Sequence, residues 1–280
     1  MKKRTHKKTR SIILLIFISI FLISSIILSW YFYNQYKENE EFKTLSTNIS
    51  SNISKKETKF RKNILQNTET KNEIIKETKN KPQKKQKILS KYKELYEENN
   101  ELYGWIKIKG TNIDYPVMYS PDEPQFYLHR NFNKEDSFSG TPFILVPDTN
   151  NIIIYGHNMK NKTMFSALRN YKDIEFWKEN PYIEFDTLYE KAVYEIFAVT
   201  NTVVYYDKNE IPFNAYLFYQ HTNLETEKEF NDYIKNVQKD AYFDSKISPT
   251  FGDSIITLCT CDYVTKNARL LVIARKVQKN

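Results

Sequence analysis

The chain has 280 residues, of which 40% are hydrophobic and 15% aromatic, enough for one or two domains with a substantial core. The net charge of +8 is uneven: residues 1–100 hold 22 Lys and Arg against 10 Asp and Glu, a net charge of +12, which leaves −4 for residues 101–280. A nucleic-acid-binding fold needs a basic patch on its folded part, so this distribution excludes nucleic acid from the expected partners. It fits a basic N-terminal portion near anionic lipid head groups or wall polymers.

The first 33 residues have the pattern of a membrane anchor. Residues 1–10 form a basic tail, and residues 11–33 follow without a charge, long enough to cross a bilayer of about 30 Å as a helix. The basic tail is expected to stay in the cytoplasm, which puts residues 34–280 outside the cell. A cleavable signal peptide is the alternative, but the apolar run is longer than usual and no Ala-x-Ala site follows it.

The remaining chain divides into a polar segment and a folded domain. Residues 34–87 are rich in Lys, Glu, Asn, Thr and Ser and predict an extracytoplasmic stalk, extended or partly helical. The folded domain is predicted over residues 88–280. Apolar residues at helical spacing predict that it opens with a helix over about 84–98.

Short apolar segments separated by turn residues then predict a domain built mainly from strands. The predicted strands are 105–108, 113–118, 142–146, 152–155, 183–185, 192–200, 254–260 and 270–277, and the predicted helices are 164–171, 174–178 and 225–239. Many short strands with few helices indicate a mostly-β barrel or sandwich decorated by helices.

The two cysteines, Cys259 and Cys261, lie at the end of one predicted strand. A disulfide between residues two apart would be strained, so we expect either a functional free thiol or two small buried residues. If the last two strands pair as a hairpin, Cys261 faces Arg269 across the mouth of the loop. The guanidinium would then favour the thiolate and could stabilise the oxyanion of an acyl intermediate.

Of the four histidines, His157 has the most suggestive position. It follows a buried apolar run and Gly156, so its imidazole emerges at a strand end and can exchange protons near neutral pH. His6 lies in the basic tail, His129 lies in Tyr127-Leu128-His129-Arg130, and His221 lies in a Tyr- and Asn-rich loop. The two cysteines and a histidine lack metal-ligand spacing, so neither a metal nor another cofactor is predicted.

Several segments resemble the sortase family. Thr257-Leu258-Cys259-Thr260-Cys261, with Arg269 eight residues later, resembles the TLxTC…R motif of sortases. Residues 155–160, followed by Met164-Phe165, are similar to the histidine segment of class B sortases. Segments 104–108, 113–117 and 127–132 are also similar to class B sequences, so the resemblance covers about residues 88–277.

The resemblance implies a fold and an activity. The fold would be mostly β, a closed sortase-type β-barrel with N-terminal helices and an extra helix between two late strands that walls the substrate groove. The activity would be a membrane-anchored transpeptidase that cleaves the C-terminal sorting signal of surface proteins after Thr. The acyl group would pass to a peptidoglycan amine, from a precursor or a cross-bridge.

The resemblance also implies roles for individual residues. Cys261 would be the nucleophile, His157 the general acid and then the general base, and Arg269 the group that holds the substrate and stabilises the oxyanion. Further substrate contacts are expected from four neighbouring residues, Thr260, Cys259, Asp262 and Tyr155.

The sequence departs from the family pattern at two places, and it leaves two other functions possible. Cys259 fills a position where a small polar residue is common, and residues 143–148 lack the acidic residue often found after Phe143-Ile144. A membrane-tethered cysteine peptidase would share the acyl-enzyme but transfer it to water. A non-catalytic surface-binding module would not need Cys261.

Overall fold

The computed structural model describes residues 2–66 and 87–277, and within them the regular structure is four α-helices and eight strands. The helices are α1 Lys2–Gln66, α2 Lys93–Glu98, α3 Ile174–Glu179 and α4 Glu227–Lys239. The strands are β1 Leu102–Lys107, β2 Asp114–Met118, β3 Phe143–Ile144, β4 Asn151–Tyr155, β5 Tyr182–Thr187, β6 Val193–Val203, β7 Ile255–Cys261 and β8 Ala268–Lys276. Short 3₁₀ helices occupy Phe126–Leu128, Phe165–Lys172, Lys208–Glu210 and Phe218–Gln220.

The strands form one closed barrel in the order β1-β2-β3-β4-β7-β8-β6-β5, closed by the pairing of β5 with β1. The β2–β3 and β4–β7 pairs are parallel, and the other pairs are antiparallel. The prediction of a mostly-β closed barrel is therefore confirmed, and the sandwich alternative is excluded. The parallel β4–β7 pair brings together strands that lie about a hundred residues apart in the chain.

Strand β7 is buried on both faces, which explains its continuous apolar sequence. Its side chains alternate, so Ile256 and Leu258 lie on one face while Ile255 and Cys259 lie on the other. The second face belongs to an apolar cluster that also contains residues of β8 and of helix α4. Cys259 is thus part of a packed layer between the barrel and α4.

Helix α4 lies between β6 and β7 in the chain, as predicted for residues 225–239. It begins with a capping box, in which Thr226 and Glu229 satisfy each other's backbone N–H groups. Four residues at helical spacing are buried against the barrel: Phe230, Tyr233, Ile234 and Val237. The Tyr233 hydroxyl lies 2.6 Å from Oγ1 of Thr257 in β7, so a hydrogen bond fixes the helix to the strand.

The predicted helix over 84–98 is mostly wrong. Residues 84–86 lie outside the described residues, and the helix that forms is the single stretch Lys93–Glu98. The backbone N–H of Leu89 donates instead to the carbonyl of Leu188, at 2.7 Å. A backbone hydrogen bond to the segment after β5 therefore takes the place of the helical hydrogen bond expected at this position.

Helix α1 is continuous from Lys2 to Gln66, through a region predicted to be only partly helical. Within the described residues, one helical span, Ile12–Ser51, contains a stretch long and apolar enough to cross a membrane. The chain divides into two compact units, Met1–Lys43 and Thr44–Asn280. In the second unit the hydroxyl of Ser46 donates to Asp114 at 2.8 Å. The proposed boundaries of tail, anchor, stalk and catalytic domain stay predictions.

Candidate active site

Cys261 is the last residue of β7 and pairs directly with Arg269 of β8. The antiparallel register therefore confirms the expected hairpin, with the thiol and the guanidinium at the same end of the barrel. Both residues are half-buried, so solvent and substrate can reach them. The backbone N–H of Asp262 donates to the carbonyl of Ala268 at 2.9 Å and closes the hairpin just beyond the pair.

His157 reaches the same place through the parallel pairing of β4 with β7. The last pair in that ladder is Tyr155 with Cys259, and the same register continued by two residues sets His157 opposite Cys261. Two hydrogen bonds hold this continuation. Thr260 donates its hydroxyl to the Gly156 carbonyl at 2.7 Å, and the Asn158 amide donates to the Cys261 carbonyl at 2.8 Å.

The imidazole of His157 lies in a partly buried environment that favours its neutral form. Burial lowers its pKa, and the nearby His129 and Arg269 lower it further, whereas a hydrogen bond to the Leu128 carbonyl acts in the opposite direction. In that bond Nε2 donates to the carbonyl at 2.9 Å, which puts the proton of the neutral ring on Nε2. The ring also stacks on His129, with 5.8 Å between the two centroids.

The guanidinium of Arg269 is held by hydrogen bonds that use only part of its donor set. Nη1 donates to the carbonyl of Ala268 at 3.0 Å, and Nη2 donates to the hydroxyl of Tyr206 at 2.6 Å. Neither partner is a carboxylate, so the positive charge of Arg269 stays available to an anionic or carbonyl group at the strand end.

The three residues line one cleft of about 540 Å³, here called the thiol cleft. One wall comes from the connection between β6 and α4, including Val204, Tyr205, Tyr206, Phe218 and Tyr219. The remaining lining includes Leu128, His129, Phe143, Leu145 and Tyr155. A thiol, an imidazole and a guanidinium at one end of a mostly apolar cleft can perform covalent acyl chemistry on a peptide.

Comparisons with known proteins bear directly on this site. The sortase domain model matches residues 106–277. This chain belongs to the sortase family. It is 35% identical to sortase B of Listeria monocytogenes over 182 residues, which are 62% of this chain and 68% of the relative. Sortase B of Staphylococcus aureus is 28% identical over 211 residues, covering 70% of this chain and 82% of the relative.

Solved structures agree with the class as well as with the fold. Sortase B of Clostridium perfringens has a TM-score of 0.58 and 35% identity, covering 66% of this chain and 99% of that one. A substrate complex of Staphylococcus aureus sortase B has a TM-score of 0.66 at 22% identity, covering 89% and 100% of the two chains, and shows the fold alone. The chain is a class B sortase, a cysteine transpeptidase.

The second cysteine of this sortase differs sharply from Cys261. Cys259 is 2% exposed and lies within the apolar layer beneath α4. Burial raises the pKa of its thiol to about 12, with Arg269 lowering it slightly and Cys261 raising it. Cys259 therefore stays a neutral thiol and forms the floor of the thiol cleft.

The other expected substrate contacts divide between the cleft and its surroundings. Tyr155 lines the cleft, and burial raises the pKa of its phenol, so the ring contributes an uncharged apolar face. Thr260 also borders the cleft, but its hydroxyl is used by the bond to Gly156. Asp262 lies outside the lining: its side chain is fully buried and its carboxylate accepts a hydrogen bond from Lys172.

The expectation that helix α4 walls the groove is wrong in detail, because α4 contributes no residue to the thiol cleft. Its buried face packs on β6, β7 and β8 instead, and the wall comes from the connection that precedes it. Sequence reasoning treated that connection as a Tyr- and Asn-rich loop. The adjacent aromatic residues Tyr205 and Tyr206 were the available signal of a surface that contacts a ligand.

His129 is another residue of the site, and sequence reasoning gave it no role there. It stacks on His157 and lines the cleft. As for metals, the described residues contain no group of three or more His, Cys, Asp or Glu side chains arranged to hold an ion.

Proposed function

We propose that this chain is a membrane-anchored sortase that cleaves a C-terminal sorting signal after Thr and transfers the acyl group to a peptidoglycan amine. Cys261 is the nucleophile, His157 the acid and base, and Arg269 the anion-stabilising group. The donor substrates are surface proteins, and the acceptor is a peptidoglycan precursor or cross-bridge amine.

One observation supports this proposal above the others. Two independent strand pairings meet at Cys261: the antiparallel register sets it against Arg269, and the continued parallel register sets it against His157. All three line a cleft large enough for several peptide residues. A structural cysteine would not require a half-buried imidazole and guanidinium at the same strand end.

The first step forms a thioester. The neutral imidazole of His157 takes the thiol proton as the Cys261 sulfur attacks the carbonyl carbon of the substrate Thr, and the electron pair of the carbonyl moves to its oxygen. Collapse of the tetrahedral intermediate breaks the Thr amide bond. The imidazolium of His157 donates its proton to the departing nitrogen, which leaves as a neutral amine.

The second step transfers the acyl group. The neutral acceptor amine attacks the thioester carbon, and His157, now uncharged, accepts the proton that the nitrogen loses. Expulsion of the Cys261 sulfur completes a new amide, and return of the proton from His157 to that sulfur restores the starting enzyme. Water in place of the amine would give hydrolysis, so exclusion of water from the apolar cleft favours transfer.

Arg269 stabilises the oxygen that becomes negative in both steps. Its guanidinium is anchored by Ala268 and Tyr206, so it is positioned before the substrate arrives. In this proposal Tyr155 and Cys259 contact the side chains of the sorting signal. Thr260 acts through its bond to Gly156, which fixes the strand that carries His157, and Asp262 acts through Lys172.

The N-terminal part of the chain is proposed to hold the enzyme in the cell membrane. Residues 11–33 are proposed to span the membrane as a signal anchor, with the basic tail in the cytoplasm and the barrel on the outer side. The apolar span Ile12–Ser51 supports this assignment by its length and composition. An anchored enzyme would meet surface proteins as they emerge from the membrane.

The test uses the full chain in detergent micelles with a panel of Thr-containing peptides, with and without an amine acceptor, and mass spectrometry of the products. We expect cleavage after Thr, an adduct on Cys261, and a new amide when the amine is present. Cys261→Ala should lose all three, while Cys259→Ala should retain them. Hydrolysis that ignores the amine would identify a peptidase, and activity that survives Cys261→Ala would refute the mechanism.

A further inference from the structure

A second cavity lies next to the thiol cleft and is strongly basic. It has a volume of about 1140 Å³ and four cationic side chains in its lining, Lys160, Lys162, Arg169 and Lys172. No Asp or Glu among residues 2–66 and 87–277 lines it. We call this space the basic cavity. Residues 101–280 carry a net charge of −4, so this concentration of positive charge runs against the overall balance of the folded part.

Within the described part of the chain, three of the four cations have no acidic partner. Among the described residues Lys160, Lys162 and Arg169 form no ion pair, and each side chain is exposed at the rim. Lys172 differs, because its ammonium binds the buried carboxylate of Asp262. Three unpaired cations around one cavity indicate an anionic ligand.

The basic cavity and the thiol cleft share a boundary. Gly156 and His157 line the cleft, and the next residue, Asn158, lines the basic cavity. The amide of Asn158 donates to the Cys261 carbonyl at 2.8 Å, and the Tyr263 hydroxyl donates to the Asn158 carbonyl at 3.1 Å. A molecule in the basic cavity therefore lies beside the catalytic strand end without occupying the cleft.

We propose that the basic cavity binds an acidic group, a phosphate or a carboxylate, of the amine-bearing second substrate. The inference rests on the function proposed above, because a transferase must bind its acceptor apart from the acyl donor. A bare ammonium would be repelled by the three unpaired cations, so the acceptor needs an anionic part to enter. The same cations lower the pKa of a nearby amine, which increases the neutral fraction that attacks the thioester.

The test compares three amine acceptors of similar size: one neutral apart from its amine, one carrying a phosphate, and one carrying two carboxylates. The full chain in micelles is first converted to the Cys261 thioester with an intact sorting peptide, the released amine fragment is washed away, and transfer is followed by mass spectrometry. We expect a lower KM for at least one anionic acceptor than for the neutral one. That advantage should shrink as ionic strength rises, because salt screens exposed charges.

The decisive variant is K160Q/K162Q/R169Q, which leaves the Lys172 pair intact. We expect it to reduce the preference for the anionic acceptor over the neutral one by about tenfold, from the loss of three exposed charge contacts. The matched control K191Q/K235Q/K239Q removes the same charge from exposed positions outside the cavity and should keep the preference. Equal loss in both variants would mean a general charge effect and would overturn the proposal.

The remaining outcomes separate the two proposals and the two sources of negative charge. Preference for the phosphate acceptor alone assigns a phosphate site, and preference for the carboxylate acceptor alone assigns a peptide-carboxylate site. Thioester formation without any preference among acceptors refutes the basic-cavity inference while the proposed function stands. Failure to form the Cys261 thioester with any donor refutes the proposed function, and inorganic pyrophosphate binding by calorimetry then tests the cavity separately.

Discussion

Two thiols lie on the same face of one strand and differ in environment rather than in residue type. Cys261 is half-buried at the mouth of the cleft, whereas Cys259 is enclosed by apolar side chains of the barrel and of helix α4. A thiol becomes a nucleophile only as the thiolate, which an apolar enclosure disfavours. Solvent access and the neighbouring Arg269 therefore select Cys261.

This difference predicts selective alkylation. A small neutral alkylating reagent at pH 8 should modify Cys261 and leave Cys259 unmodified in the folded protein, because burial raises the pKa of Cys259 to about 12. Peptide mass mapping would locate the label, and unfolding in guanidinium should expose both thiols. Modification of Cys259 in folded Cys261→Ala protein would contradict the burial argument.

The protonation of His157 leads to a second prediction. Its pKa is lowered, chiefly by burial, so NMR titration should give a value below the ordinary 6.5. Arg269→Gln should raise this pKa because it removes one nearby positive charge, while Arg269→Lys should leave it nearly unchanged. A pKa that falls in Arg269→Gln would contradict the electrostatic account.

The same shift has a consequence for stability. The folded protein favours the neutral form of His157, and this preference adds to the free energy of unfolding. The added stability is complete above the unfolded pKa of the histidine, near 6.5, and is lost as the pH falls through its lower folded pKa. Denaturant unfolding of the wild type and of His157→Gln at several pH values measures the contribution of His157 to the free energy of unfolding. The two stability curves should converge as pH falls, because the wild type alone loses the contribution.

Between elements, the connection that matters most for the site is the one from β7 to the 3₁₀ helix Phe165–Lys172. Lys172 at the end of this helix binds Asp262, the residue after Cys261. Burial lowers the pKa of Lys172, but its bonds to Asp262 and Tyr242 outweigh burial and raise it. The pair thus ties the segment that follows His157 to the strand end that carries the thiol.

Asp262→Asn tests this tie. The substitution removes the charge partner of Lys172 within a buried setting, so we expect a loss of about 1–3 kcal/mol in unfolding free energy. Transfer activity should fall too, because Cys261 is the preceding residue. Asp244→Asn is the matched control, since Asp244 pairs with Lys246 at the exposed surface, and it should change the unfolding free energy by much less than Asp262→Asn does. Equal losses in the two variants would refute the tie.

At the scale of the whole molecule, charge and hydropathy distinguish an N-terminal portion from the folded part of the chain. The basic tail and the apolar span precede a folded part with a net charge of −4. An apolar helix of this length gains free energy from a bilayer, and its flanking positive charges set its orientation. The catalytic proposal and the location proposal therefore rest on separate parts of the chain and can be tested separately.

The anchor prediction concerns the intact chain in cells. We expect it to remain in the membrane pellet after alkaline or high-salt washing and to be released only by detergent. A cysteine-free variant with one cysteine introduced at Lys208, in the connection before α4, should react with a membrane-impermeant thiol reagent added outside intact cells. Labelling only after lysis would reverse the orientation, and release by salt alone would refute the anchor.

Much of the fold was predictable because the strands that matter have local signatures. The apolar run 152–155 became β4 and the run 254–260 became most of β7, since each is buried on both faces. Helix α4 was predictable from its amphipathic spacing. The helix over 84–98 was not predictable in the same way, because the Leu89 backbone N–H donates to the distant Leu188 carbonyl instead of to a helical partner. A local sequence pattern carries no information about a partner so far away in the chain.

The sequence alone determined the apolar span, the strand and helix types, and the motif that pairs Cys261 with Arg269 in one hairpin. Those features depend on neighbouring residues and on periodicity. Only the tertiary structure decided that His157 meets Cys261, because parallel pairing joins segments 104 residues apart. It also decided the aromatic wall before α4 and the basic cavity, since closure of the barrel alone brings those distant side chains around a common space.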